Sequence, residues 1–186
     1  MTGIFLADSS AFKATGEQIA LFSNVNSFAT ILFGLLIGSI IASMDDNKVL
    51  FSGVVFAFLG ILWLVVAPTF VLSLLTGFLI GSSNVIIESS AYAIASKIIP
   101  EKFRGRLFGI YNASFFLSWG IAATLITGPI ADYMIAIGLT NANAYRVSFL
   151  VALFIVSIGI VLLLYTFKHI NEVLTGFNSP LLVKKD

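Results

Sequence analysis

Five long apolar runs organise the chain: 18–43, 49–67, 69–96, 105–137 and 145–167. Short breaks separate them: Met44-Asp45-Asp46-Asn47-Lys48, the single Pro68, Ile99-Pro100-Glu101-Lys102-Phe103, and Leu139-Thr140-Asn141-Ala142-Asn143. A helix needs about 20 residues to cross about 30 Å of hydrocarbon. A run such as VLFSGVVFAFLGILWLVVA is apolar on every face, whereas an outer-membrane strand alternates over about ten residues. The pattern therefore predicts an all-α polytopic transmembrane bundle of about five spanning helices. Breaks this short make consecutive spans antiparallel neighbours. Residues 1–17 are expected to be the end of a preceding helix and an outer loop, 18–167 the bundle, and 168–186 a cytoplasmic tail.

Composition excludes most other classes. Of the 186 residues, 59% are hydrophobic and 10% charged, against about 45–50% and about 25% in soluble domains. Ten Lys and Arg against nine Asp and Glu give a net charge of +1, which offers no basic face for nucleic acid. With no cysteine and one histidine, His169, no disulfide, thiolate metal site or cysteine nucleophile is expected. No cofactor, no metal and no enzymatic activity are expected. A Gly-rich loop ending in Lys-Ser/Thr is also absent from the sequence, so energy for any pumping would come from an ion gradient rather than from ATP. The one Asn-x-Ser/Thr sequence, Asn112-Ala-Ser114, falls at the cytoplasmic end of a span, where glycosylation does not occur.

Basic residues orient the bundle, because cytoplasmic loops carry an excess of Lys and Arg. Lys48, Lys97, Lys102, Arg104, Arg106, Lys168, Lys184 and Lys185 fall on one side, Lys13 and Arg146 on the other. This places the C-terminus in the cytoplasm and residue 17 outside. Residues 1–16 lack a basic region followed by a long apolar core, so they are no signal peptide. A truncated or split product of a larger protein is expected.

Within residues 97–132, KIIPEKFRGRLFGIYNASFFLSWGIAATLITGPIAD, the positions Pro100, Arg104-Gly105-Arg106, Gly109, Gly120, Gly128-Pro129 and Asp132 form a pattern. It resembles the tenth-to-eleventh helix region of a major facilitator transporter, and is most similar to the drug-efflux branch. The resemblance implies that the five spans correspond to helices eight to twelve and residues 1–16 to the end of helix seven, half of a major facilitator fold. It further implies proton-linked export of a small organic compound across the plasma membrane by alternating access. The partners so implied are the lipid bilayer, the small-molecule substrate, and a missing N-terminal half or another membrane protein. In this family the loop after the second helix of each half runs from Gly through three residues to an acid, a base and another Gly. Here Gly38 is followed by Ala42-Ser43, the acids come later at Asp45 and Asp46, and Lys48 is the one base. Asp45 and Asp46 are thus candidates for a conformational switch or for plain solvated loop charge.

Glu88 is the most informative single residue. It lies nine residues from Lys97, about 14 Å along a helix, near the expected bilayer midplane. A carboxylate at that depth costs about 2.5 kcal/mol or more unless protonated, paired or wetted. At 100° per residue, Ser73, Gly77, Gly81, Asn84, Ala91, Tyr92 and Ala95 share its side, while Leu75, Leu79, Ile86 and Ala93 lie opposite. The expectation is that the Glu88 stripe turns into the bundle and the opposite stripe faces lipid. Glu88 is then either a proton-coupling or cation-binding carboxylate of raised pKa, with Asn84 and Tyr92 beside it, or a structural group paired across helices.

Several further features carry expectations. The pairs Gly34/Gly38, Gly77/Gly81 and Gly105/Gly109 are one turn apart and read as helix-packing faces. Pro129 lacks an N–H and clashes with the carbonyl of Leu125, so Gly128-Pro129 predicts a kink. Asp132 and Arg146 flank one outer loop and invite pairing, as a gate or a brace. Lys102, Arg104 and Arg106 suit lipid head groups, or grip a neighbouring acid together with the Gly105 and Gly109 loop motif. Asn24 and Asn26 point to opposite faces, so one of them lines a cavity, with Asn24 the candidate. Trp63 and Trp119 read as packing or interfacial residues, and Ile170, Val173, Leu174 and Phe177 as a brief amphipathic stretch before disorder. The alternative to a transporter half is a non-transporting membrane subunit, a scaffold packing on partner helices.

Overall fold

The computed structural model describes residues 2–177, and among these it contains helices and turns only. The order is α1 (Thr2–Ala7), α2 (Gly16–Ser43), α3 (Asp46–Val66), α4 (Phe70–Ile98), a 3-10 turn (Glu101–Phe103), α5 (Arg104–Ile121), a π-turn (Ala122–Thr127), α6 (Gly128–Ala136) and α7 (Asn141–Phe177). Five stretches are long and apolar enough to cross a membrane: Gly16–Ser43, Asp46–Val66, Phe70–Ile98, Glu101–Ala136 and Asn141–His169. These follow the five apolar runs, except that α7 runs on through Lys168 and His169 to Phe177, where 145–167 marks only its apolar part. His169 stacks on Tyr165 one turn earlier at 4.3 Å and its Nδ1 lies 3.1 Å from the Tyr165 carbonyl, so nothing local stops the helix there. The side chains of the stretch from Ile170 to Phe177, and residues 178–186, lie outside the described residues.

Polar residues at the breaks start the helices. Thr15 and Gln18 form a reciprocal capping box on α2, Gln18 N–H to Thr15 Oγ1 at 3.3 Å and Thr15 N–H to Gln18 Oε1 at 2.9 Å. Asp45 caps α3 by accepting from Asn47 N–H at 2.9 Å, and Thr69, directly after Pro68, caps α4. Across that Pro68 turn, Trp63 Nε1 donates to the Leu72 carbonyl at 2.8 Å and braces α3 against α4.

Helix α4 is the centre of the packing and is held on two sides. Against α2 it presents Gly77 and Gly81: a Cβ at Gly77 would come 3.2 Å from the Phe22 carbonyl oxygen, and one at Gly81 would overlap the Asn26 carbonyl oxygen. The close approach lets Asn26 Nδ2 donate to the Gly77 carbonyl at 3.1 Å, and Thr30 Oγ1 reach both the Asn26 and the Gly81 carbonyls at 3.0 and 3.4 Å. Against α3 the glycines come from the partner: Cβ atoms at Gly53 and Gly60 would meet Ile86 Cγ2 at 2.8 Å and Ile80 Cδ1 at 2.9 Å. Ile86, at 4% exposure, therefore packs with Val49 and Ile37 in the core, and the expectation that its stripe faces lipid is corrected. Ser73, Ser82, Ser83 and Ser90 are buried on α4, each hydroxyl donating to a carbonyl three or four residues back at 2.5 to 2.8 Å. Their polar atoms are thus satisfied without a partner helix.

At the end of the bundle opposite Lys97 and Arg104, α1 packs on α2 and α7. Phe5 and Leu6 are fully buried, and the Phe5 ring meets Phe12, Tyr145 and Phe149 edge to face at 5.5, 6.4 and 5.4 Å.

Of the three glycine pairs, Gly77/Gly81 is a packing face among the described residues, whereas a Cβ added at Gly34, Gly38, Gly105 or Gly109 would meet open space. Gly81→Ala is expected to lower stability by about 1–3 kcal/mol, since a backbone oxygen cannot step aside as a side chain can. Gly38→Ala is expected to leave it unchanged. Thermal unfolding of the two purified variants in one detergent checks the contrast.

Candidate functional site

Because α2 and α3 occupy two sides of α4, a third side remains, and it carries Asn84, Glu88 and Tyr92, four residues apart. Across from it stands α5. Asn84, Ile87 and Glu88 of α4 and Phe115 and Phe116 of α5 enclose a cleft of about 410 Å³, within the range of small-molecule sites. Asn84 and Glu88 are exposed to this cleft rather than buried among the other described helices. The cleft is thus a carboxylate and an amide facing two phenyl rings.

One turn from Glu88 towards the basic end, the cleft closes. The Tyr92 hydroxyl donates to Asn112 Oδ1, while its ring stacks on Phe108 at 5.5 Å and meets Tyr111 edge to face at 5.1 Å. Tyr92 therefore bridges α4 and α5. Phe108, Asn112 and Phe115 recur at helical spacing, and that periodicity is the sign in the sequence that this face of α5 meets α4; Asn112 is thus a bridging residue as well as part of the Asn-x-Ser sequence.

Of the two asparagines of α2, Asn26 and not Asn24 turns inward. Asn24 is exposed, while Asn26 lines two further cavities of about 430 and 310 Å³ beside the first turn of α1. The smaller also contains Thr76, whose Oγ1 is buried without a hydrogen-bond partner, among Phe22, Ile61, Leu64, Ile80 and Phe149. The Gly77 carbonyl draws Asn26 inward, and Asn24, two residues away, is left on the far side.

The loop charges separate into distinct uses. Asp46, its side chain only 11% exposed, pairs with Lys97 and ties the start of α3 to the end of α4, while Asp45 is the cap described above. Neither is merely solvated. Arg104 lies 3.9 Å from Glu101 and donates from Nη2 to the Ser96 carbonyl at 3.3 Å, which pins the start of α5 to the end of α4. Arg106 is exposed, and a Cβ added at Gly105 or Gly109 beside it would meet open space.

Gly128-Pro129, where a kink is predicted, directly follows the π-turn Ala122–Thr127. Gly128 N–H reaches back five residues to the Ala123 carbonyl, and Ser148 Oγ of α7 donates to the Thr127 carbonyl at 3.1 Å. The extra residue per turn accommodates the missing N–H and the ring of Pro129.

The expected pairing of Asp132 with Arg146 is corrected: among the described residues no ion pair joins them. Ala131 is the buried residue of α6 and Asp132, one step round the helix, points outward; Arg146 Nε is buried with no hydrogen-bond partner. The clasp at that end is made by Asp8 instead. It accepts from the Ser10 hydroxyl at 2.5 Å, the Ser10 N–H at 2.8 Å and Asn141 Nδ2 at 2.9 Å, while Ser10 Oγ accepts from Ala142 N–H at 3.0 Å. These bonds, Ser10 first and Asn141 second, hold the Asp8 carboxyl below its ordinary value of 3.8.

A family model described as Major Facilitator Superfamily matches residues 1–180. No curated protein and no solved structure matches the chain.

A carboxyl depressed on folding contributes stability above its unfolded value, and the contribution disappears as pH falls through the folded one. The clasp of α1 to α7 is therefore complete above pH 3.8 and weakens below it. Asp8→Asn is expected to flatten the fall of Tm with pH in that acid range. Equal slopes for the two proteins would show that no proton is linked to the clasp.

Proposed function

The chain belongs to the major facilitator superfamily of membrane transporters, and from that membership we propose that it is the second half of a secondary carrier of the drug-efflux type. In this reading it exports a small organic compound in exchange for protons moving down their inward gradient, by alternating access. The five spans stand for helices eight to twelve, the basic end and the C-terminus face the cytoplasm, and the bilayer is the plasma membrane. A first-half bundle, on another chain or on adjoining sequence, supplies the second wall of the pathway.

The observation that supports this reading is the open third side of α4. Glu88, Asn84 and the two α5 phenylalanines line a cleft that no other helix among the described residues lines. A carboxylate in the middle of an apolar span needs a proton, a cation or water. A carrier meets that need in turn, offering the group to a proton from one side and to cargo from the other. Asn84 orients the carboxylate or the cargo by hydrogen bonding, and Phe115 and Phe116 supply apolar contact. The Asp46–Lys97 and Arg104–Ser96 ties keep α3, α4 and α5 together at the cytoplasmic end as the half moves.

Transport of ethidium into everted vesicles, the inverted-membrane counterpart of cellular efflux, by this bundle with its first-half partner tests the assignment, driven by an imposed acid-lumen proton gradient. Glu88→Gln is expected to reduce gradient-driven transport to that of vesicles without the protein, with folding and assembly unchanged. Normal driven transport by the Gln variant would remove Glu88 from coupling. Absence of transport by the unaltered protein would remove the drug-export assignment and leave the scaffold alternative.

A further inference from the structure

Helix α5 is attached to the bundle mostly at its ends. At the basic end the 3-10 turn and the Arg104–Ser96 contact hold it, and at the other end the π-turn and α6 pack on α7. Among the described residues, none in the most apolar stretch of this span is buried inside the chain. Between the two anchorages, Tyr92 and Asn112 join α5 to α4, with Phe108 and Tyr111 around the Tyr92 ring. In lipid the hydrophobic effect does not press helices together, so association rests on packing and hydrogen bonds of this kind.

We propose that the Tyr92–Asn112 hydrogen bond is a positioning contact that sets the separation of α4 and α5 and thereby the access to the Glu88 cleft. The contact lies one turn from Glu88 on α4 and one turn from Phe115 and Phe116 on α5, so a change at the bond moves both walls of the cleft. When it breaks, α5 bends at the π-turn, where the wide hydrogen-bond ring and the Pro129 gap already interrupt the regular ladder. Ser148 keeps the Thr127 carbonyl partnered throughout, so bending there exposes no orphaned acceptor. This opening is local to two helices of one half and is distinct from the rocking of one half against another.

The absence of native cysteine allows a direct measurement. Ile87→Cys places a thiol on the cleft wall, and Ser73→Cys places one at a fully buried position of the same helix. The full chain in liposomes is labelled with a membrane-permeant maleimide. Tyr92→Phe keeps the ring in its stack and removes the hydroxyl; it is expected to raise labelling of Ile87→Cys by about two- to tenfold, the shift one net hydrogen bond gives a two-state equilibrium. Ser73→Cys should stay protected. Asn112→Ala should act likewise, and the double variant should label no faster than the faster single one, because both lose the same bond. Unchanged labelling at Ile87→Cys would overturn the proposal, as would an equal rise at both cysteines or additive effects of the two substitutions.

Discussion

The structure depends on how closely the α4 backbone can approach two neighbours at once. Gly77 and Gly81 admit α2 to the helix surface, and Gly53 and Gly60 admit the α4 isoleucines into α3. In hydrocarbon this contact replaces the solvent-driven collapse of a soluble core, and it is short-ranged, so a single methyl group matters. The buried serines obey the same constraint. A hydroxyl that donates within its own helix adds little bulk and needs nothing from across the interface. Asn26 and Thr30 then convert the nearness of α2 into hydrogen bonds to glycine carbonyls, which only a helix lacking side chains at those points exposes.

That packing also decides where chemistry is possible. With two sides of α4 committed to α2 and α3, its remaining polar residues gather on the third. Asn84, Glu88 and Tyr92 owe their common direction to their spacing, and their openness to the absence of a third close neighbour along most of the helix. Helix α5 approaches without burying itself, and so makes a cleft instead of a core. The two ends of the bundle differ in kind. One is joined by charge, through Asp46, Lys97 and Arg104; the other by the Phe5 ring cluster and the neutral donors around Asp8.

Much of this was legible in the sequence because membrane spans are long and their breaks abrupt. The five spans follow from apolar length alone, and the grouping of Glu88 with Asn84 and Tyr92 from helical spacing. What spacing cannot supply is the partner of each face. Ile86 resembles a lipid-facing residue until Gly53 is placed beneath it, and the signal was present in the seven-residue separation of Gly53 from Gly60 on α3. Asp132 and Arg146 are opposite in charge and near in sequence, yet helix phase turns one outward. Asn26 rather than Asn24 faces inward because of a carbonyl on α4, fifty-one residues distant in sequence. Each of these is a long-range fact, whereas caps such as Thr15 with Gln18 are local and could be read from neighbouring letters.

The π-turn has a consequence for comparing this chain with others. One surplus residue inside a helix rotates everything beyond it by about 100°, so the facing of Ala131 and Asp132 is set several positions upstream of them. In a soluble protein an insertion drifts to a loop, but here both loops are short and the span is fixed by bilayer thickness. An aligned relative with an unbroken helix at this place would match letter for letter through Ile121 and then fall out of phase. Equivalence there has to be judged by which way a side chain points, not by its column.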